Sequence, residues 1–323
     1  MKKVAFLVLV CLNFSHGLEL TARGLVAPVF TQVNDDQSID YEDIPMYAEY
    51  LASNNINSIL VGGSTGEHPS LSVEDRKAHL DAWVAAAARQ NLTMIYQVGG
   101  APFPDVMELT RYSATLPLAG ILTLPELYFK PQSVAELVRY VARVAAQAPD
   151  MPVVYYHIPD ITGVDVDMKK FVLAASEQIP NFMGIKYSFD DLNEAIEVKK
   201  LLRSDQELYL AASAASTLVA PALLMGIQSF IGTGFNIFPD LAARIVEAVD
   251  RSDVAGARAA QQQYTDALNA VTNNFTEPFV PSLKMGMELV TDIPMGPPLL
   301  PQSPPSAEAR ELAMRKLEDL GLL

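Results

Sequence analysis

Short runs dense in Val, Ile, Leu and Tyr recur along the chain at residues 24–30, 58–62, 93–98, 119–124, 152–157, 182–187, 208–212 and 228–233. Between them lie longer segments in which apolar residues return every three or four positions, as at 41–53, 73–89, 133–148, 190–202 and 217–225. A three-to-four repeat draws one apolar stripe down a helix, whereas a nearly continuous apolar run suits a strand buried on both faces. Strands of that kind alternating with helices predict a parallel sheet covered on both sides. Eight such units predict an α/β fold, a (β/α)8 TIM barrel over about residues 24–250, near the ~250 residues typical of that architecture. A doubly wound open sheet is the alternative; no GxGxxG follows the first run, which counts against it.

The pattern continues past the eighth unit. Apolar periodicity predicts helices near 254–271, 281–290 and 307–320, with a Pro-rich loop at 293–305 between the last two. No low-complexity linker precedes them, so residues 18–323 are expected to form one barrel domain carrying extra C-terminal helices from about 252 to 323. The Pro and Gly of the late loop fix a turn path, and no chemistry is assigned to it.

Residues 1–17 read differently. Lys2 and Lys3 precede an apolar run at 4–12, followed by Ser15-His16-Gly17 with small residues where cleavage favours them. This is a secretory signal pattern, predicting a mature chain from Leu18 that is secreted or held in a secretory lumen. The alternative is a retained apolar extension on a cytoplasmic protein. The run is too short to span a bilayer, so no membrane association is expected of the mature form. Sequons at Asn91 and Asn274 are compatible with a secretory route. The only cysteine is Cys11, so a cleaved chain forms no disulfide.

Charge narrows the function. A formal net charge of −15, with 23 scattered Lys and Arg, offers no basic patch for a phosphate backbone, so nucleic acid is not an expected partner. The histidines, His16, His68, His79 and His157, have no HxH or HExxH spacing, and a protein-bound metal is not expected.

In such barrels the chemistry gathers at the C-terminal ends of the strands. Near the end of the sixth run stands Lys186, in Gly184-Ile185-Lys186-Tyr187-Ser188. Strict alternation puts Gly184, Lys186 and Ser188 on one face. Within a barrel mouth a lysine loses water, which disfavours the ammonium form, and a neutral amine attacks a carbonyl to give a Schiff base. A solvated charge at a strand end is the plainer reading. Tyr156, near the end of the preceding run, is placed by the ~4.8 Å strand spacing to face Lys186 and relay a proton; a core tyrosine is the alternative. After the second run, Gly62-Gly63-Ser64-Thr65-Gly66-Glu67 has the glycines and hydroxyls to hold a carboxylate, or makes an ordinary capped turn. Leu127-Tyr128-Phe129-Lys130-Pro131 after the fourth run is an exposed aromatic loop. The segments after the seventh and eighth runs, 212–217 and 232–236, are small and neutral, leaving room for the far end of a ligand.

Taken together, Gly-Gly-Ser-Thr-Gly-Glu at 62–67, Tyr-Tyr-His-Ile-Pro at 155–159, Gly-Ile-Lys-Tyr-Ser at 184–188 and Ile-Pro-Met-Gly-Pro-Pro at 293–298 resemble the N-acetylneuraminate lyase and dihydrodipicolinate synthase superfamily. The resemblance covers nearly all of the chain beyond the first 22 residues, and the tyrosine-histidine-isoleucine-proline form is most like the animal lyase branch. It implies a homotetrameric class I aldolase without a cofactor, in which Lys186 is the Schiff-base lysine and Tyr156 the proton relay. It further implies that Ser64 and Thr65 grip the carboxylate of a 2-keto acid and that Ser188 lines the sugar site. Tyr128 falls where the synthases lend a tyrosine to a neighbouring subunit. Ile161 stands where the synthases carry an arginine, which argues against a synthase. One departure concerns the segment matching the lyases' Gly-x-Asp-Glu: here it is Ala214-Ala215-Ser216-Thr217, without the acidic pair that binds the sugar tail, and Thr233 replaces a serine.

The expected reaction is cleavage of N-acetylneuraminate to N-acetylmannosamine and pyruvate. The alternatives are a lyase for a shorter 2-keto-3-deoxy sugar acid or 4-hydroxy-2-oxoglutarate, and a carbohydrate-binding protein without turnover.

Overall fold

The computed structural model describes residues 18–189, 191–211 and 214–323. The expected signal peptide and Cys11 lie outside the described residues, as do Ala212 and Ser213 of the segment after the seventh strand. Eight parallel strands close into a barrel in sequence order: β1 (Leu25–Pro28), β2 (Ser58–Val61), β3 (Thr93–Gln97), β4 (Gly120–Thr123), β5 (Val153–His157), β6 (Phe182–Tyr187), β7 (Glu207–Ala211) and β8 (Ser229–Ile231). Each falls within or beside one of the apolar runs. The helices that follow them are α1 (Ile44–Ser53), α2 (Val73–Gln90), α3 (Phe103–Ser113), α4 (Val134–Ala145), the short α5 (Pro159–Thr162), α6 (Met168–Gln178), α7 (Leu192–Leu201), the short α8 (Ala214–Thr217) and α9 (Val219–Leu224), and α10 (Pro239–Asp250). Beyond the barrel come α11 (Val254–Thr272), α12 (Phe279–Thr291) and α13 (Ala307–Asp319).

The pleat sorts each strand's side chains into two cores. Outward residues such as Ile59, Val61, Tyr155, Ile185, Tyr187 and Leu210 pack under the helices in one cluster that runs on through Tyr264 of α11 and Leu283 of α12 to Leu317 of α13. Inward residues, among them Val26, Leu60, Ile95, Leu122, Val154 and Tyr209, fill the lower barrel together with Leu20 and Ala22 from the segment before β1. The Tyr209 hydroxyl donates to the Ala22 carbonyl at 2.6 Å, fixing that plug. Full burial of side chains of this size stabilises by about 1.5–3 kcal/mol each. Helix starts are set locally: Ser72, Ser133, Asp167, Asp191, Asp253 and Ser306 each accept a hydrogen bond from a backbone N–H three residues on.

Strand β6 departs from strict alternation. Its register against β5 shifts from Val153↔Phe182 to Val154↔Gly184, so Met183 is an extra residue that turns inward. Gly184 adopts φ +147°, and a Cβ there would land on the carbonyl oxygen of Glu207 in β7. From Gly184 onward the expected alternation holds: Gly184 pairs with inward Val154, Ile185 and Tyr187 turn outward under the helices, and Lys186, in register with Tyr156, turns with Ser188 toward the mouth.

The late proline loop does more than turn the chain. Val33 donates its N–H to Met295 O at 3.0 Å, and the Gln32 side chain donates to Pro294 O at 2.8 Å, tying the loop to the segment after β1. Among the described residues, no helix is long and apolar enough to cross a membrane, and no group of three or more His, Cys, Asp or Glu is arranged to hold a metal ion.

Candidate active site

Lys186 is the last residue but one of β6, at the C-terminal mouth of the barrel, and is only 4% exposed. Its ammonium nitrogen sits over the Tyr156 ring, 3.8 Å from the centroid, close enough for a cation–π contact. The Tyr156 hydroxyl lies 3.3 Å from Ser64 Oγ, a hydrogen bond in which either oxygen can donate. Burial by itself raises the Tyr156 phenol; the charge of Lys186, then the hydroxyls of Ser64 and Ser188, outweigh it and hold the phenol below its ordinary value. A phenol so placed gives up and recovers a proton more readily than a free tyrosine.

These residues face one cavity of about 320 Å³. Its polar lining is Ser64, Thr65, Tyr156, Lys186 and Thr233; its apolar lining is Pro28, Ile158, Ile161, Ile231, Phe275 and Phe279. Thr65 Oγ1 and Thr233 Oγ1 are 2.8 Å apart, so the threonine after β8 braces the loop after β2. Thr233 is braced in turn. Asn236 donates to the carbonyls of Thr233 and Pro28 at 2.8 and 2.9 Å, and accepts from the Tyr47 hydroxyl at 2.7 Å.

The loop carrying Ser64 and Thr65 is held from beneath. Gly62 adopts φ +84°, and a Cβ there would come within 2.5 Å of His68 Nδ1, so the turn requires glycine. His68 Nε2 lies 2.8 Å from His79 Nδ1, and Trp83 donates to His79 Nε2 at 3.1 Å. Since His79 Nε2 accepts, its proton sits on Nδ1 and is donated to His68. Burial keeps both imidazoles neutral, pushing His79 down to about 3. Glu67, at the loop's end, accepts from Lys284 Nζ at 3.3 Å, from the Leu299 N–H at 2.7 Å and from Gln302 Nε2 at 2.6 Å. Lys284 also donates to the Pro297 carbonyl at 2.9 Å. Burial raises the Glu67 carboxyl and lowers the Lys284 amine, each opposed by the other's charge. The glutamate of the glycine-rich loop is thus the anchor of the late proline loop.

Of the residues expected at the site, Lys186, Tyr156, Ser64, Thr65 and Thr233 meet in the cavity. Ser188 is buried with its hydroxyl toward Tyr156 and stands outside the cavity lining. Ser216 is buried outside it too, its carbonyl accepting from Gln261 Nε2 at 2.9 Å and Thr265 Oγ1 at 3.2 Å. Thr217 is exposed at the end of α8, which Ala214 begins. Tyr128 is exposed on the loop after β4, its ring edge-on to Phe129 with centroids 4.9 Å apart.

Sequence reading missed Phe275 and Phe279 as lining residues. They lie well past the eighth strand, and their only local signal is an i, i+4 aromatic pair beside a turn. Their rings stack with centroids 6.2 Å apart and planes at 22°.

The sequence model of the dihydrodipicolinate synthetase family matches residues 21–320. N-acetylneuraminate lyase of Gallus gallus is 31% identical over 300 residues, covering 92% of this chain and 96% of its own. The Homo sapiens N-acetylneuraminate lyase is 31% identical over 303 residues, covering 93% of each chain. The structure of the N-acetylneuraminate lyase (sialic acid aldolase) of Aliivibrio salmonicida superposes with a TM-score of 0.85 at 30% identity, over 93% of this chain and 97% of that one.

Proposed function

Because the chain belongs to the dihydrodipicolinate synthetase family, we propose that it is a Schiff-base aldolase that cleaves N-acetylneuraminate to N-acetylmannosamine and pyruvate. The observation that supports this most is Lys186 buried against Tyr156, with a hydroxyl-bearing loop closing on the same phenol. Lys186 adds to the 2-keto carbon and, with loss of water, forms a protonated imine. Ser64 and Thr65 hold the adjoining carboxylate. Tyr156 takes the proton of the C4 hydroxyl as the C3–C4 bond breaks; the aldehyde leaves and the electron pair passes into the imine as an enamine. Protonation at C3 and hydrolysis return the lysine and release pyruvate. The lysine is itself the electron sink, so the scheme calls for no cofactor.

A second reading, a substrate with a shorter or less hydroxylated tail, draws support from Ser216 and Thr217. A charge-assisted hydrogen bond contributes about 1.5–3 kcal/mol against about 0.5–1.5 for a neutral one, and neither neutral hydroxyl stands in the cavity lining. Two measurements test the reading. Pyruvate release is assayed on N-acetylneuraminate and a panel of shorter 2-keto acids, and borohydride with excess pyruvate is expected to add mass to the peptide carrying Lys186. Folded protein that binds sialic acid without the adduct would be a binding protein instead. For Tyr156→Phe, kcat is expected to fall by about 10²–10⁴, the usual contribution of a positioned acid–base group, while the pyruvate adduct still forms. Unchanged turnover would remove Tyr156 from the mechanism.

A further inference from the structure

We propose that the part of the substrate beyond C4 is held by apolar contact on a ledge of Ile161, Phe275 and Phe279, and that 4-hydroxy-2-oxo acids with an aromatic C4 substituent are turned over with a higher kcat/KM than N-acetylneuraminate. This rests on the Schiff-base reading of the same cavity, whose polar groups belong to the head end. Lys186 and Tyr156 address the keto carbon and C4 hydroxyl, and Ser64 and Thr65 the carboxylate, with Thr233 hydrogen-bonded to Thr65. What remains of the lining is hydrocarbon.

Three features make the ledge a recognition surface rather than leftover core. Ile161, Phe275 and Phe279 are 71%, 38% and 40% exposed yet all line one cavity; single exposed apolar residues are ordinary, but several converging on one cavity mark a place for a ligand. Phe275 is also held in a costly conformation. It is the last of three successive residues with positive φ, +48° at Asn273, +57° at Asn274 and +59° at Phe275. Asparagine tolerates that region and phenylalanine does not, so the turn is kept by its surroundings. Lys316 donates to Asn273 Oδ1 at 2.9 Å, Asn274 N–H to Asn269 O at 3.0 Å and Phe275 N–H to Thr272 Oγ1 at 3.2 Å. The result is a stacked aromatic pair at the mouth, suited to a planar hydrophobic group. Lastly, at about 320 Å³ the cavity is at the small end of the ~300–1,000 Å³ range of ligand pockets. A polyhydroxylated tail would set hydroxyls against this hydrocarbon and leave them without the partners that water gave them.

The test compares kcat/KM for pyruvate release from 4-hydroxy-2-oxo-4-phenylbutanoate and from N-acetylneuraminate, beside borohydride trapping of pyruvate on the unmodified protein. The phenyl compound is expected to lead by about tenfold or more, within the range an apolar pocket contact supplies. Phe279→Ala is expected to collapse that ratio through KM for the phenyl compound, and Phe279→Leu to keep most of it. If Lys186 forms the pyruvate adduct but N-acetylneuraminate is the better substrate, or Phe279→Ala leaves the ratio intact, the ledge assignment is overturned and the Schiff-base reading stands. If Lys186 forms no adduct, both fall.

Discussion

Lys186→Met lowers pyruvate release by about 10⁴–10⁶-fold, the scale on which deleting a covalent nucleophile acts, and abolishes the borohydride-trapped pyruvate adduct. The size follows from the site's economy of groups. Among the described residues Lys186 is the only lysine lining the cavity, so no second amine there stands ready to attack the keto carbon. Tyr156, Ser64, Thr65 and Thr233 remain, and they still bind a 2-keto acid; what is lost is the imine and with it the electron sink for C3–C4 cleavage. Methionine has nearly the length of lysine and takes the same place over the Tyr156 ring without a charge to desolvate. The variant is therefore expected to melt no lower than the parent, which separates lost chemistry from lost fold. Mass spectrometry of the trapped protein decides the matter: an adduct surviving on another lysine would show the wrong residue had been chosen.

Lys284→Met destabilises the protein by about 3–5 kcal/mol at neutral pH, the cost of leaving one member of a buried ion pair without its partner. Both side chains are all but inaccessible, 2% exposed for Lys284 and 1% for Glu67. Among the described residues, removing the ammonium leaves a carboxylate supported only by the Leu299 N–H and the Gln302 amide. The sign of the pH dependence follows from Glu67. Burial already raises its carboxyl, and losing the opposing cation raises it further. A group whose folded pKa lies above its unfolded value stabilises most below the unfolded value and loses that stability as pH rises through the folded one. The variant's deficit is thus largest near pH 7.5 and shrinks toward pH 5, as urea unfolding at the two pH values would show. Adding Glu67→Gln recovers much of the loss, since a neutral amide keeps an acceptor for Leu299 without a buried charge. A deficit independent of pH would mean that the pair contributes packing alone.

Much of this was legible in the chain because it depends on local pattern. The eight apolar runs announced eight strands, and the consecutive strand ends of Tyr156 and Lys186 announced neighbours, since a parallel register leaves them little else to face. Gly184 shows where pattern stops. Alternate counting places Lys186 and Ser188, but nothing in the run signals the extra residue Met183 just before them, and only the carbonyl of Glu207, from another strand, explains why position 184 must be glycine. The apolar rim was hidden for a similar reason, as nothing near Phe275 or Phe279 in sequence says that α12 begins beside the barrel mouth. The late proline loop read as a turn, because its contacts with Glu67 lie 232 and 235 residues away along the chain.

That separation has a consequence for how the protein is made. Ser64 and Thr65 leave the ribosome early, and the barrel that surrounds Lys186 can close once β8 has emerged. Leu299 and Gln302, which seat the carboxylate of Glu67, are translated 232 and 235 residues after it. A nascent chain therefore carries its lysine long before the loop that receives the substrate's carboxylate is locked, and the site matures only once those two residues have emerged.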